Sequence, residues 1–192
     1  NNVTLDTIEQ KVIMVKPEEK LDRLMAQLRE DNPYLAIVFC NKKEGAIKLS
    51  YELTAAGFNI GELHGDLTQG RRTQILRDFA RARTQILVAT DIAARGIDIE
   101  SLPYVINFDL PNIPETYVHR IGRTGRAGNG GISISFCGKD EEVYWKDIQK
   151  LIKVNVKTIK DHPFPWKNEV PNPDAKPDLR NKKKHNGKNN SR

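Results

Sequence analysis

Residues 119–126, His119-Arg120-Ile121-Gly122-Arg123-Thr124-Gly125-Arg126, concentrate three arginines and two glycines in one short helical corner. A guanidinium group is planar, stays charged and meets phosphate oxygens two at a time, so a corner of this kind suits a polyphosphate. Arginines presented to a transferring γ-phosphate accelerate its transfer by roughly 10³ to 10⁵. The plain alternative is a solvated basic loop whose arginines contribute little. A second segment, Ile86-Leu87-Val88-Ala89 followed by Thr90-Asp91-Ile92-Ala93-Ala94-Arg95-Gly96-Ile97-Asp98, reads as a strand, a capped helical turn, a glycine stop and an acid. Thr90 or Asp91 caps the turn and leaves amide N–H groups for a phosphate; a purely structural cap is the alternative. A third departure from ordinary patterning is Arg71-Arg72 in the first turn of a helix opening at Thr68. Cations are disfavoured at that end of a helix dipole, and local rules are broken where function demands it. A bound anion resolves the conflict; side chains reaching into solvent also would.

The elements that must position these residues follow from periodicity. Apolar runs of strand length are predicted at Gln10 to Val15, Leu35 to Phe39, Asn59 to Leu63, Gln85 to Ala89, Tyr104 to Phe108 and Ile132 to Phe136. Helical patterns lie between them, an alternation that argues for an α/β fold with a mostly parallel sheet and helices on both faces. Pro17 suits a first helical position, Leu21, Leu24, Met25 and Leu28 recur on one face, and Asn32-Pro33 stops the segment. Ile47, Leu49, Tyr51 and Leu53 are read as core positions of the next helix, which Gly57 ends. The third helix directs Ile75, Leu76 and Phe79 inward. In an open parallel sheet, ligands collect beyond the carboxyl ends of the strands, where the loop after Ala89 falls.

Composition narrows the class. The chain has 192 residues and a formal charge of +6, and its last 13 residues carry six basic groups and no acid. Residues 1–179 hold 25 basic and 25 acidic groups, so the body is neutral and a polyanion must be held by a local basic strip. The tail adds either a diffuse, salt-sensitive attraction for nucleic acid or a solubilising end. Cys40 and Cys137 each close an apolar run, as buried free thiols do, and their spacing offers neither a disulfide framework nor a metal site. A reducing cytoplasm is the expected compartment. No apolar run reaches the roughly 18 residues of a membrane span. Pro163, Pro165, Pro171, Pro173 and Pro177 interrupt regular structure, so residues 1–160 are read as one domain and 161–192 as a largely unfolded extension, on which His162 to Trp166 form a patch able to dock.

The segments together resemble DEAD-box RNA helicases. The octet 119–126 is similar to their motif VI, Ala89 to Asp98 to motif V, Ile37-Val38-Phe39-Cys40-Asn41-Lys42 to motif IV, and Gln69-Gly70-Arg71-Arg72 to their Gln-x-x-Arg. Leu63-His64-Gly65-Asp66 and Val105-Ile106-Asn107-Phe108-Asp109-Leu110-Pro111 resemble two further family signatures. The matches run in family order over residues 5–155, and a histidine opening motif VI favours the DEAD-box branch. His162-Pro163-Phe164-Pro165 is similar to the end of the domain in bacterial RhlE-like members.

The resemblance implies a three-layer RecA-like fold and the second, C-terminal lobe alone. Nothing in the chain reads as the phosphate loop, the Asp-Glu-Ala-Asp sequence or Ser-Ala-Thr of a first lobe, and the chain is read as part of something longer. By resemblance, Arg123 and Arg126 reach the γ-phosphate of ATP, Asp98 and Gly96 serve the nucleotide, and His119 and Arg95 bridge to the N-terminal RecA-like domain. Asn41, Gly65, Gln69, Arg72, Thr90 and Asp91 meet RNA phosphates and 2′-hydroxyls. Mg2+ would be held by the N-terminal domain, and the fragment alone would lack ATPase activity. A stand-alone RNA- or protein-binding module without chemistry is the competing reading.

Overall fold

The computed structural model describes residues 5–95, 102–124, 130–154 and 156–160. Seven strands are described: β1 (Glu9–Met14), β2 (Ala36–Cys40), β3 (Ile60–Leu63), β4 (Ile86–Thr90), β5 (Tyr104–Asn107), β6 (Ile132–Cys137) and β7 (Lys157–Ile159). They form one sheet in the order β3-β4-β2-β5-β6-β1-β7, with every pairing parallel. The helices are α1 (Lys20–Asp31), α2 (Lys43–Ala55), α3 (Gln69–Ala80), α4 (Asp91–Ala94), α5 (Pro114–Ile121) and α6 (Glu142–Ile152).

Strand alternation divides the core in two. Ala36, Val38 and Cys40 of β2 face one side with Leu24 and Leu28 of α1 and Ala46, Leu49 and Leu53 of α2. Ile37 and Phe39 face the other side with Phe79 of α3, Ala93 of α4, Tyr117 of α5 and Ile148 of α6. Strands covered on both faces read as continuous apolar runs, and β2 and β4 are buried throughout. This is the three-layer arrangement the sequence predicts.

The departures have local causes. Pro17 opens a 3-10 turn, Pro17–Glu19, and α1 begins only at Lys20. Asn32 takes the left-handed conformation and closes α1 through its amide on the Leu28 carbonyl. Ile47 and Tyr51, expected in the core, are 40% and 77% exposed, because the face that α2 buries is Ala46, Leu49, Ser50 and Leu53. That face follows the helical repeat, whereas 47, 49, 51 and 53 follow a period of two. Gly57 ends α2 as expected: at φ +94° it lets its amide reach Thr54 and that of Phe58 reach Leu53, satisfying two terminal carbonyls. Helix α6 and edge strand β7 have no counterpart in the sequence reading. The extension 161–192, with its docking patch and the RhlE-like segment, lies outside the described residues. Cys40 and Cys137 are buried and free, and burial raises both thiol pKa values, to about 12 for Cys137.

Candidate functional site

The carboxyl ends of β2, β3, β4 and β5 open into one groove of about 650 Å³. Its lining includes Asn41, Gly65, Thr90, Asp91, Arg95, His119 and Arg123, which come from four expected motifs distant in sequence. His119 and Arg95 are exposed on it, Thr90 is buried beneath it, and Arg123 is half-buried. Gln69 and Arg72, at the start of α3, do not line the groove. Arg126, Asp98 and Gly96 lie outside the described residues, so two residues expected at the nucleotide and one of the two expected at its γ-phosphate have no structural account.

The three arginines of the octet do different things. Arg120 is 1% exposed and makes five hydrogen bonds. Its Nε and Nη2 donate to the two carboxylate oxygens of Asp91, each at 2.7 Å; Nη1 donates to the Asp109 carbonyl at 2.7 Å and to Asn107 Oδ1 at 3.3 Å; Nη2 also donates to Asn41 Oδ1 at 2.8 Å. Every N–H of the guanidinium therefore has an acceptor, the condition under which a charge can be buried. One side chain ties the ends of β2 and β5 to α4. Asn107 passes the connection to β6 through a bond to Ser135 Oγ at 3.0 Å.

Arg123 follows α5, which starts on Pro114 at its first turn and ends at Ile121, with Gly122 as its cap. The Leu102 amide donates to the Arg123 carbonyl at 3.0 Å, and the Thr124 hydroxyl donates to the Leu102 carbonyl, so the backbone carrying Arg123 is pinned to the segment before β5. From there Nη2 donates to the Ala94 carbonyl at 2.8 Å. Desolvation lowers the Arg123 pKa from its ordinary value, and nearby Asp91 opposes the shift.

On the opposite rim, Lys43 Nζ lies 2.7 Å from Asp66, linking the start of α2 to the loop after β3. That hydrogen bond holds the Asp66 carboxyl below its usual range and raises the Lys43 pKa. His64, 8% exposed, contacts Glu62 at 2.8 Å through Nε2, while Nδ1 accepts from the Asp66 amide at 3.3 Å. The imidazole thus shapes the turn that presents Gly65. At α3, which opens at Thr68 as predicted, the Thr68 hydroxyl accepts from the Arg71 amide and caps the helix, and Arg72 Nη2 donates to the Arg95 carbonyl at 3.2 Å.

Two expectations change in form. Thr90 occupies the N-cap position of α4 without a side-chain cap bond, and Asp91 turns its carboxylate to Arg120 instead of to the turn. The Asn41 side chain, expected toward RNA, bonds inward, donating to the Leu110 carbonyl at 2.9 Å and accepting from Arg120. The residue that sequence reasoning missed is Arg120 as a buried tie. The signal was present: Tyr117, Arg120 and Ile121 share one helical face, and its apolar members are core.

The helicase conserved C-terminal domain family matches residues 19–128. An ATP-dependent RNA helicase of Limosilactobacillus reuteri, CshA, is 42% identical over 158 residues, which are 82% of this chain and 32% of that protein. The chain thus spans about a third of its curated relative. Among solved structures, Escherichia coli DEAD-box protein SrmB bound to regulator of ribonuclease activity A aligns with TM-score 0.79 and 34% identity, covering 86% of this chain and 98% of that one. Saccharomyces cerevisiae Dbp5 bound to RNA and ADP BeF3 aligns with TM-score 0.76 and 34% identity, covering 81% and 42%. With its parallel sheet, its groove beyond the strand ends and the arginines gathered there, the chain belongs to the helicase conserved C-terminal domain family, as the C-terminal RecA-like domain of a DEAD-box protein.

Proposed function

We propose that this lobe completes the nucleotide site and half of the RNA site of an ATP-dependent RNA helicase whose N-terminal RecA-like domain holds the rest. The observation that carries the reading is the groove itself: Arg123, His119 and Arg95 share a concave surface at the carboxyl ends of the strands, where anionic ligands of open α/β sheets collect. Arg123 and Arg126 donate to the γ-phosphate, Asp98 and Gly96 serve the nucleotide, and His119 and Arg95 meet the N-terminal lobe. Such donors act by stabilising charge that spreads over the phosphoryl oxygens in the transition state. The Mg2+ that accompanies ATP is assigned, by the family resemblance, to the N-terminal lobe.

RNA lies across both lobes, with Asn41, Gly65, Gln69, Arg72, Thr90 and Asp91 nearest its backbone. Because the Asn41 side chain and the Asp91 carboxylate are engaged internally, and the Asn41 backbone N–H donates to Asp109 Oδ2 at 3.0 Å, Asn41 contributes shape and Asp91 its backbone, while Gln69 and Arg72 contribute side chains. Contacts to phosphate and 2′-hydroxyl distinguish RNA from DNA and carry little sequence information, in keeping with local duplex separation and remodelling of ribonucleoproteins. No helix among the described residues is long and apolar enough to cross a membrane. A cytoplasmic site of action and the placement beside RhlE-like members belong to this proposal. The test is phosphate release: the purified 192-residue chain gives no RNA-stimulated turnover of ATP, and the protein with both lobes does. Turnover by the pure chain would overturn the division of labour.

A further inference from the structure

Arg71 stands in the first turn of α3 and takes no part in the groove. It opens a run of five arginines, from Arg71 to Arg83, that a single acid, Asp78, accompanies. Asp78 is already engaged, accepting from Gln74 at 2.9 Å and lying 4.0 Å from Arg83. Arg71, Arg77 and Arg81 are exposed, and among the described residues no carboxylate comes within ion-pair distance of them. Arg71, Gln74, Arg77 and Arg81 follow one another at three and four residues, so they make one line on the side of α3 away from its buried Ile75 and Phe79. The other long helices mix signs on their exposed faces: Asp22, Arg29 and Glu30 on α1, Glu44 and Lys48 on α2, Lys146 and Asp147 on α6. The helix dipole favours Arg77 and Arg81 near the end of α3 but opposes Arg71 at its start, so it does not account for the line as a whole.

We infer that the outer face of α3 is a further RNA site, one that takes the strand onward from the rim and holds it by its phosphates. The inference rests on the functional reading above, which puts RNA at Gln69 and Arg72 in the first turn of the same helix. From there α3 runs back toward the amino end of β3, where the Asn59 side chain donates to the Arg83 carbonyl at 2.8 Å. Arg77 and Arg81 lie about 9 and 15 Å beyond Arg71 along the helix axis, so a strand leaving the rim in that direction meets a cation every turn or two. Residues 1–179 carry no net charge, which leaves this local surplus to attract a polyanion. Bonds from guanidinium to phosphate are charge-assisted and need no base, so the occupant is a sugar–phosphate backbone of any sequence.

The test uses the 192-residue chain and two single-stranded probes, oligouridylates of about 5 and about 12 nucleotides. Combining Arg77→Gln with Arg81→Gln removes two phosphate contacts from the strip and leaves Gln69 and Arg72 in place. At low salt this variant binds the longer probe about fivefold more weakly than the parent and the shorter probe equally, which also shows that it folds. The slope of log affinity against log salt for the longer probe becomes shallower by about 1.4, two contacts at about 0.7 each. Arg77→Lys with Arg81→Lys keeps the binding of the longer probe, since an ammonium group also holds a phosphate. If the parent binds both probes and the glutamine variant binds the longer one as tightly, with an unchanged salt slope, the strip is overturned and the functional reading stands. An equal loss for both probes overturns it too, because the arginines then act only through the overall charge. If the parent chain binds neither probe, the functional reading fails and takes the strip with it.

Discussion

Replacing Arg120 by methionine keeps an unbranched apolar stem and removes all five hydrogen bonds of its guanidinium. Four acceptors lose that donor: the Asp91 carboxylate, the Asp109 carbonyl, and the amide oxygens of Asn41 and Asn107, the last wholly buried. Removing one member of a buried ion pair costs about 3–5 kcal/mol, chiefly through the charge left behind. Asp91 retains 28% side-chain exposure, so water partly compensates it and the loss falls at the lower end, about 3 kcal/mol. For a domain of this size that lowers the melting temperature by about 6–12 °C. Urea unfolding followed by far-UV circular dichroism measures the loss directly. Combining Arg120→Met with Asp91→Asn removes the stranded charge, so the double variant is more stable than the sum of the single losses by about 1.5–3 kcal/mol. A single variant within about 0.5 kcal/mol of the parent, or an additive double variant, would refute the role of Arg120 as the tie between β2, β5 and α4.

Tyr117, fully buried, donates its hydroxyl to Gln10 Oε1 at 2.6 Å while its ring meets Trp145 edge-on, so Tyr117→Phe keeps the packing and leaves Gln10 short of a donor. The expected loss is about 1–3 kcal/mol in the same urea experiment, and no loss would show that the bond is replaced. Glu141 is 8% exposed and accepts from Lys20 at 2.5 Å and from the Leu110 amide at 2.7 Å, yet burial outweighs these and raises its pKa from 4.5. The folded state then holds this proton more tightly than the unfolded one, so the contribution from Glu141 is complete below pH 4.5 and is lost as pH rises through the folded value. Stability measured from pH 4 upward therefore climbs less steeply in the parent than in Glu141→Gln; parallel curves would contradict the raised pKa.

The architecture was legible because buried parallel strands advertise themselves: six of the seven described strands appear as apolar runs, displaced by a residue at most. Strand β7, Lys157-Thr158-Ile159, was not, since a three-residue edge with two exposed positions carries no pattern above its surroundings. The groove residues were legible as motifs, but their division of labour was not. Sequence treats the arginines at 120, 123 and 126 as equivalent cations, and only the position of Arg120 beside Tyr117 and Ile121 on the inward face of α5 separates a structural arginine from one that reaches a ligand. The inward bonds of Asn41 and Asp91 were hidden for the same reason, because their partner comes from 79 and 29 residues away.

The central claim is that this lobe lends arginines to a triphosphate gripped elsewhere. Steady-state RNA-stimulated phosphate release by the protein with both lobes, compared between parent, Arg123→Ala and Arg126→Ala at saturating ATP and RNA, tests it most directly. The account predicts turnover reduced by about 10³ or more in each variant, with RNA still bound. Turnover close to the parent's in both variants would contradict it.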